Sequence, residues 1–258
     1  MGLAQFVREY RTVRRAEGWG STDPAYYRAL PYRDLTGRFT DIWRIRARSY
    51  ELFSIKVLVP LEQQYDRLTI ADLGAGSGWL AYRLAQRGHR VFAIDLLEDT
   101  IDGLGAIRTY ANAVHALAAE FDHLPLPSAS LDLAVFNASL HYSTDYARTL
   151  RESMRVLRPG STLAIVDSPM YSDPSSGARM VHEREARFKH TYGFASNALP
   201  SEHYLTPGRL SELSRQLDIA WQIHMLRLDW RSWARQTVGG LRARREPARF
   251  PVIVGTRA

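Results

Sequence analysis

Cysteine is missing from all 258 residues. Its absence excludes a disulfide framework, a thiolate zinc site and a cysteine nucleophile, and no metal site is expected. Long apolar runs are missing as well: none approaches the roughly 18–20 residues that span a bilayer. A soluble, cytoplasmic protein without a membrane partner is therefore expected. Lysine is scarce, with only Lys56 and Lys189 among 34 basic residues. The net charge of +7 thus comes from arginines spread along the whole chain, which reads as compositional bias more than as a nucleic-acid surface. The densest basic stretch, "RARREPAR" at 242–249, is the best candidate for such a surface. The opening "MGLAQFVREYRTVRRAEG" carries Glu9 and several arginines in an amphipathic pattern and does not read as a signal peptide. Phe6 stands where a myristoylation signal requires Ser or Thr.

What is present is enough for a sizeable core: 45% of the chain is hydrophobic and 11% of the chain is aromatic, in a length that suits one α/β domain with appendages. Before Thr69 the chain reads as helices and loops. Leu3, Phe6, Val7, Tyr10 and Val13 recur at three- and four-residue spacing and predict one amphipathic helix. A second helix is predicted from about Asp41 to Val59, capped by Thr40 or Asp41 and ended by Pro60. From Leu68 to about Val166 short β-type runs alternate with helical periods. "LTIADL", "RVFAIDL", "LDLAVFNAS" and "STLAIVDS" read as strands, with helices at 79–86, from the second strand to about Val114, and in "TDYARTLRESMRVL". Such alternation predicts a mainly parallel, doubly wound sheet with helices on both faces. Residues 168–204 break the rhythm; then "TPGRLSELSRQL" predicts a helix, and "IAWQIHML" and "RFPVIVGT" two more strands.

The segment "TIADLGAGSGWLAYRLA" sets Gly74, Gly76 and Gly78 at alternate positions between the first strand and a helix. In an open parallel sheet, ligands bind beyond the carboxyl ends of the strands, where strand order reverses. Bare glycines there let the backbone turn sharply and approach a ligand, and the helix that follows aims its amides at the same place. A dinucleotide is one such ligand, but its G-x-G-x-x-G pattern needs a third glycine at position 79, which is Trp79. Asp95, ending the second strand, suits a ribose in either case.

With its acid and glycines in the form D-x-G-x-G-x-G, this segment resembles the first motif of the class I S-adenosylmethionine-dependent methyltransferases, of the small-molecule, type 11 kind. The likeness continues in "AEFDHLPLPSASLDLAVFNASLHY" and "MRVLRPGSTLAIVD", the latter with Ser161 for the family's second glycine, and covers about 68–167. The resemblance implies a Rossmann-like α/β fold: a doubly wound, mainly parallel seven-stranded sheet with its last strand antiparallel, plus a helical N-terminal extension. It divides the chain into an extension or lid (1–66) and a methyltransferase domain (67–258) whose insertion at 168–205 contributes to the acceptor pocket. It implies S-adenosylmethionine as cofactor and S-adenosylhomocysteine as product. Asp72 would meet the donor's ammonium; Gly74, Ala75, Gly76, Gly78 and Trp79 would form its cradle. Asp95 and Leu96 would take the ribose, Glu120 and Phe121 the adenine, and Asn137 either substrate.

The acceptor is approached by elimination. "NASLHY" after the fourth strand lacks the [DN]-P-P-[YF] motif of enzymes that methylate DNA adenine or protein glutamine. Cytosine C5 methylation needs the missing cysteine. A small molecule, methylated at O or N, is expected, and nucleic acid is disfavoured. An RNA or protein methyltransferase, a non-catalytic binder of the same cofactor, and a nicotinamide-dependent oxidoreductase stay open as alternatives. His141 is the candidate general base, because imidazole titrates near neutral pH, with Tyr142 beside it. Asp167 faces the same rim. Tyr26, Tyr27, Tyr171, His182 and Tyr192 are candidates for the acceptor pocket. A monomer or homodimer is expected.

Overall fold

The computed structural model describes residues 2–110, 114–226 and 245–257. Of the basic stretch at 242–249, residues 242–244 lie outside the described residues. The sheet has seven strands: β1 (Thr69–Leu73), β2 (Arg90–Asp95), β3 (His115–Ala118), β4 (Leu131–Asn137), β5 (Leu157–Val166), β6 (Ile219–His224) and β7 (Val252–Arg257). Their order is β3-β2-β1-β4-β5-β7-β6. All neighbours pair in parallel except β7, which runs antiparallel to both β5 and β6. The order reverses between β1 and β4, so the crevice of a doubly wound sheet opens at their carboxyl ends.

Period-two alternation divides the strands' apolar residues between two cores. Ile70, Val91, Leu133, Val135 and Ala164 face one layer; Ala71, Ile94, Ala134, Phe136 and Ile165 face the other. Helices α6 (Tyr146–Val156) and α8 (Pro207–Leu217) cover the second layer. Their starts are set by side-chain caps: Asp145 accepts from the Arg148 amide (3.1 Å) and Thr206 from the Arg209 amide (3.0 Å). Each cap contributes about 1 kcal/mol. The first layer is closed by α5 (Trp79–Gln86) together with the N-terminal helices. Tyr27, Leu30, Phe53 and Leu58 are fully buried there, so residues before the first strand build a core and not merely an appendage.

Helices α1 (Gly2–Glu17), α2 (Pro24–Ala29) and α3 (Thr40–Phe53) precede the sheet. The expected stop at Pro60 does not occur. The helix widens into a π turn over Ser54–Leu58, where the Val59 amide reaches back to the Ser54 carbonyl, and α4 (Val59–Glu62) continues it. Proline has no N–H to give, and a π turn is the usual way a helix absorbs such an irregularity. Thr40 is the first helical residue and not a side-chain cap; Asp34 instead gathers the incoming turn, accepting from the Thr36 and Phe39 amides. The long helix expected after β2 is a short 3-10 segment, Leu104–Tyr110. Gly103 and Gly105 lie so near the backbone of Leu97, Glu98 and Asp99 that the chain folds back on itself there. β5 begins earlier than expected, at Leu157, with its pairing to β4 shifted between Leu131 and Leu133. The insertion is ordered by α7 (Pro174–Tyr192), capped by Asp173.

Asp72 lies in the middle of this fold, not at its rim. It is 1% exposed, and one carboxylate oxygen accepts from the Ala81 amide (3.1 Å) while the other has no partner. Burial pushes its carboxyl up to about 7, the Ala81 bond lowering it less and the nearby Asp95 adding to the rise. A carboxyl raised in the fold contributes fully at acid pH, and that contribution is lost as pH rises through about 7. Asp72→Asn keeps an acceptor for Ala81 and buries no charge. In thermal denaturation from pH 5 to 8, the variant's melting temperature is expected to gain on the wild type as pH rises; a constant or shrinking gap would contradict this.

Candidate active site

The turn between β1 and α5 is built on three left-handed glycines, Gly74 (φ 76°), Gly76 (φ 53°) and Gly78 (φ 73°). They differ in what they make room for. A Cβ on Gly74 would strike the Ser139 side chain, and one on Gly78 would strike Ile107, so both serve close packing. A Cβ on Gly76 would meet nothing within 4 Å and would project into a cavity of about 750 Å³. The loop is pinned from behind by amides of Gly74 (2.7 Å) and Ala75 (3.0 Å) on the Ile94 carbonyl. Asp95 pins it from the side: one oxygen accepts from the Gly76 amide and the other from the Leu97 amide, both at 2.8 Å. Burial nonetheless leaves the Asp95 carboxyl above its ordinary value, these bonds offsetting only part of the cost.

The cavity fills the crevice and ranks in size with pockets for drug-sized ligands. Its donor end is bounded by Gly74, Ala75, Gly76 and Trp79 on one side and by Asp95 and Leu96 on the next. Glu120 and Phe121 close it beyond β3, with Phe121 held edge-on to Phe136 at 5.5 Å. Asn137, the last residue of β4, lines it too, and its amide oxygen is buried without a protein partner. The adjoining Ala138 (φ 55°) and Asp167 (φ 53°) are non-glycine residues in the left-handed region, both on the cavity wall. Backbone of this kind gathers at ligand sites, where the surrounding structure over-determines it.

The far end is assembled from segments distant in sequence. Leu3, Phe6, Tyr10 and Arg14, one stripe of α1, line it. Phe6, Tyr10 and Tyr142 form a ring cluster with centroids 5.6–5.9 Å apart. Arg14 forks onto Asp102, with its second contact at 2.8 Å, and Arg15 reaches Asp99 at 2.8 Å, so α1 is tied to the loop after β2. Below it, Arg46 of α3 lies over Trp43 (4.7 Å) and Trp19 (5.7 Å). Met180 and Arg184 of α7, with Leu199 and His203, complete the wall.

His141 and Tyr142 stand at this end, their rings 4.4 Å apart. Burial first, then the charges of Arg184 and Arg46 with His203 between them, push the His141 imidazole down to about 3. Its Nδ1 is buried without a partner. His203 is held down to about 4 by burial and Arg184. Asp167 is pushed up to about 6 by burial, against a 2.5 Å bond from the Ser49 hydroxyl and the pull of Arg46.

Of the residues singled out from sequence, most line this one cavity, including Tyr26, Tyr27 and Tyr171. Four do not. Asp72 is spent on the start of α5, and Gly78 packs beneath Ile107. His182 is exposed on the outer side of α7, and Tyr192 sits beside Phe194 and Glu17, away from the pocket. Tyr27 contributes wall only, since its hydroxyl bonds to the carbonyls of Ser21 and Ile101 (2.5 Å each). Arg14, Arg46, Arg184 and His203 were missed. For Arg46 a signal existed: with Trp43 and Tyr50 it occupies one face of its helix, an odd place for a charge.

A glycine turn and a strand-end acid stand together at the switch point of a doubly wound sheet, the place where such folds bind ligands. Residues 71–165 match the family described as "Methyltransferase domain". A malonyl-[acyl-carrier protein] O-methyltransferase of Yersinia pestis is 32% identical over 106 residues, 41% of this chain and 39% of that protein. An uncharacterized methyltransferase of Mycobacterium tuberculosis is 38% identical over 97 residues, 38% of each chain. This chain thus spans about two-fifths of the curated relatives it matches. Among solved structures, an S-adenosylmethionine-dependent methyltransferase from Mesorhizobium loti superposes with a TM-score of 0.53 at 22% identity, covering 73% of this chain and 90% of its own. The YcgJ protein from Bacillus subtilis gives 0.55 at 17%, covering 74% and 93%. Residues 71–165 thus form a methyltransferase domain, and the fold around them is shared with a solved S-adenosylmethionine-dependent methyltransferase.

Removal of a carboxylate that pins the loop and lines the cavity is expected to weaken ligand binding there sharply. In calorimetric titration with S-adenosylhomocysteine, Asp95→Ala should bind about tenfold or more weakly than wild type, the scale of one charged hydrogen bond. Unchanged affinity in folded protein would remove Asp95 from the site.

Proposed function

We propose that this protein transfers a methyl group from S-adenosylmethionine to an O or N atom of a small molecule. One observation carries the reading: the open space over Gly76, the Asp95 carboxylate and the orphaned Asn137 amide oxygen all border one cavity. The chemistry of this donor set fits the cofactor. The bare loop admits an amino-acid moiety, Asp95 accepts from ribose hydroxyls, Glu120 from the adenine amino group, and Asn137 from an ammonium. When bound, the cofactor supplies a methyl group already activated on a sulfonium.

The protein's part is alignment and exclusion of water, which can supply ~7–11 kcal/mol of the barrier. In this reading residues 1–66 act as a lid over a methyltransferase domain of 67–258, and the insertion at 168–205 completes the acceptor pocket. Leu3, Phe6 and Tyr10 of α1 roof the acceptor end, and a roof there favours a small acceptor over a polymer. The name of the Yersinia pestis relative supports an oxygen as the methylated atom. Trp79, buried against Trp43 and Tyr50 (5.9 and 6.0 Å), stands where a dinucleotide would need glycine, which disfavours the nicotinamide reading.

His141 is neutral throughout the working pH range, so its role is to accept a hydrogen bond from the acceptor and orient it. An imidazole held this low is a weak base, since general bases work best with a pKa near the operating pH. His141→Ala is expected to keep its affinity for S-adenosylhomocysteine and to slow turnover by about tenfold or more. The wild-type rate should lack an inflection near pH 6.5 that depends on His141; such an inflection, abolished in the variant, would make His141 a proton-taking base instead.

The function is tested by incubating cell-extract fractions with methyl-labelled donor and this protein. Label in a product of small mass is expected. Label that nuclease or protease releases would transfer the assignment to RNA or protein, and tight binding of NADH with none of S-adenosylhomocysteine would overturn it altogether.

A further inference from the structure

The cavity's arginines are not alike. Arg14 is neutralised by Asp102, and Arg245 by Glu183 at 2.9 Å. Among the described residues, Arg46 and Arg184 have no such partner. Arg46 makes no hydrogen bond or ion pair among them; its guanidinium lies over two indole rings, and the residue lines the cavity. Among the same residues Arg184 meets only the ring of His203, at 3.2 and 3.4 Å, and its Nε is buried without an acceptor. Both arginines line the same cavity as His141, and His203, which Arg184 meets, is joined to the His141 carbonyl through its own amide (3.1 Å).

A guanidinium taken out of water without an acceptor is costly, and proteins rarely retain one for stability. It is at home where a ligand supplies the anion, because its planar fork matches a carboxylate two-pronged. The charge required is small. Asp167 offsets part of Arg46, so the surplus at this end is about one positive charge, enough for a monoanion and too little for a diphosphate. Around it the surface is apolar and aromatic: Phe6, Tyr10, Tyr142, Met180 and Leu199.

From this pairing we infer that the acceptor is a small apolar or aromatic carboxylic acid, its carboxylate held between Arg46 and Arg184 and its body packed on Phe6, Tyr10 and Tyr142. The inference rests on the methyltransferase reading of the site and specifies its substrate class. The carboxylate is the anchor that turns the acceptor's reacting atom toward His141.

Two probes of equal shape, phenylacetate and phenylacetamide, isolate the charge. Each is titrated by calorimetry into full-length protein saturated with S-adenosylhomocysteine. Phenylacetate is expected to bind at least tenfold more tightly than the amide. Arg46→Gln and Arg184→Gln should each cut phenylacetate affinity about tenfold while leaving the amide and S-adenosylhomocysteine unaffected. Arg44→Gln, an exposed neighbour on the same helix, should change neither probe. If Arg46→Gln does not fold, Arg46→Lys, which keeps the charge but loses the fork, should lose part of the preference. The proposal is overturned if the two probes bind equally, if neither binds to protein that holds S-adenosylhomocysteine, or if Arg44→Gln weakens phenylacetate as much as the other two. Failure of the wild type to bind S-adenosylhomocysteine would instead strike the underlying reading.

Discussion

The site depends on one carboxylate held at the end of the second strand. Asp95 takes an amide proton from Gly76 on the glycine turn and another from Leu97 on its own exit loop. It thereby joins the two backbone segments that border the crevice, and its burial makes that junction stiff. Each oxygen keeps a further lone pair toward the cavity, so the group that shapes the turn is also the group that can grip a sugar. Such double use explains why the turn can afford three glycines. Their conformational freedom is removed by bonds from Ile94 and Asp95, and what remains is open space above Gly76.

The second constraint comes from the opposite end of the chain. The apolar stripe of α1 buries little against the core, Val13 being its one fully buried residue, and lies over the cavity instead. Its hold on the fold is polar: Arg14 on Asp102 and Arg15 on Asp99, both acids in the loop that follows Asp95. An exposed pair such as Arg15–Asp99 contributes little, whereas the forked, half-buried Arg14 pair fixes orientation. The loop that follows Asp95 and lines one end of the cavity is therefore also the loop to which α1, over the other end, is tied.

Much of this was legible in the chain and some was not, for physical reasons. Strands buried on both faces announce themselves as apolar runs, so β1, β2 and β4 stand out, and α5 occupies its expected span. Gly74, Gly76 and Asp95 were legible from their spacing as neighbours on one cavity because they lie within one β-α-β unit. The acceptor end is not local. Arg46, Arg184 and His203 come from three separate segments, and no periodicity records that they meet. Periodicity gave α1 as an amphipathic helix but not what its stripe covers, which is a cavity, and the resemblance gave Asp72 a ligand role although its carboxylate accepts from the Ala81 amide in α5 and does not line the cavity. His182 and Tyr192 share a helix with Arg184 but not its face, a difference that only the packing of α7 decides.

The two halves of the cavity carry opposite charge, and that division bears on how the reaction is driven. Asp95 and Glu120 line one end, where Asp122 is paired with Arg148 (3.2 Å); Arg46 and Arg184 line the other. A cationic donor and an anionic acceptor would each be drawn to its own end, and like-charge contact would disfavour the reversed placement. Were a sulfonium donor bound, methyl transfer would consume its positive charge, so holding that charge strongly beside the sulfur would favour the ground state over the transition state. In the proposed reading Asp95 and Glu120 would hold ribose and adenine, while His141 and the rings of Phe6, Tyr10 and Tyr142 would face the reacting atoms between the acids and the arginines, beneath the stripe of α1.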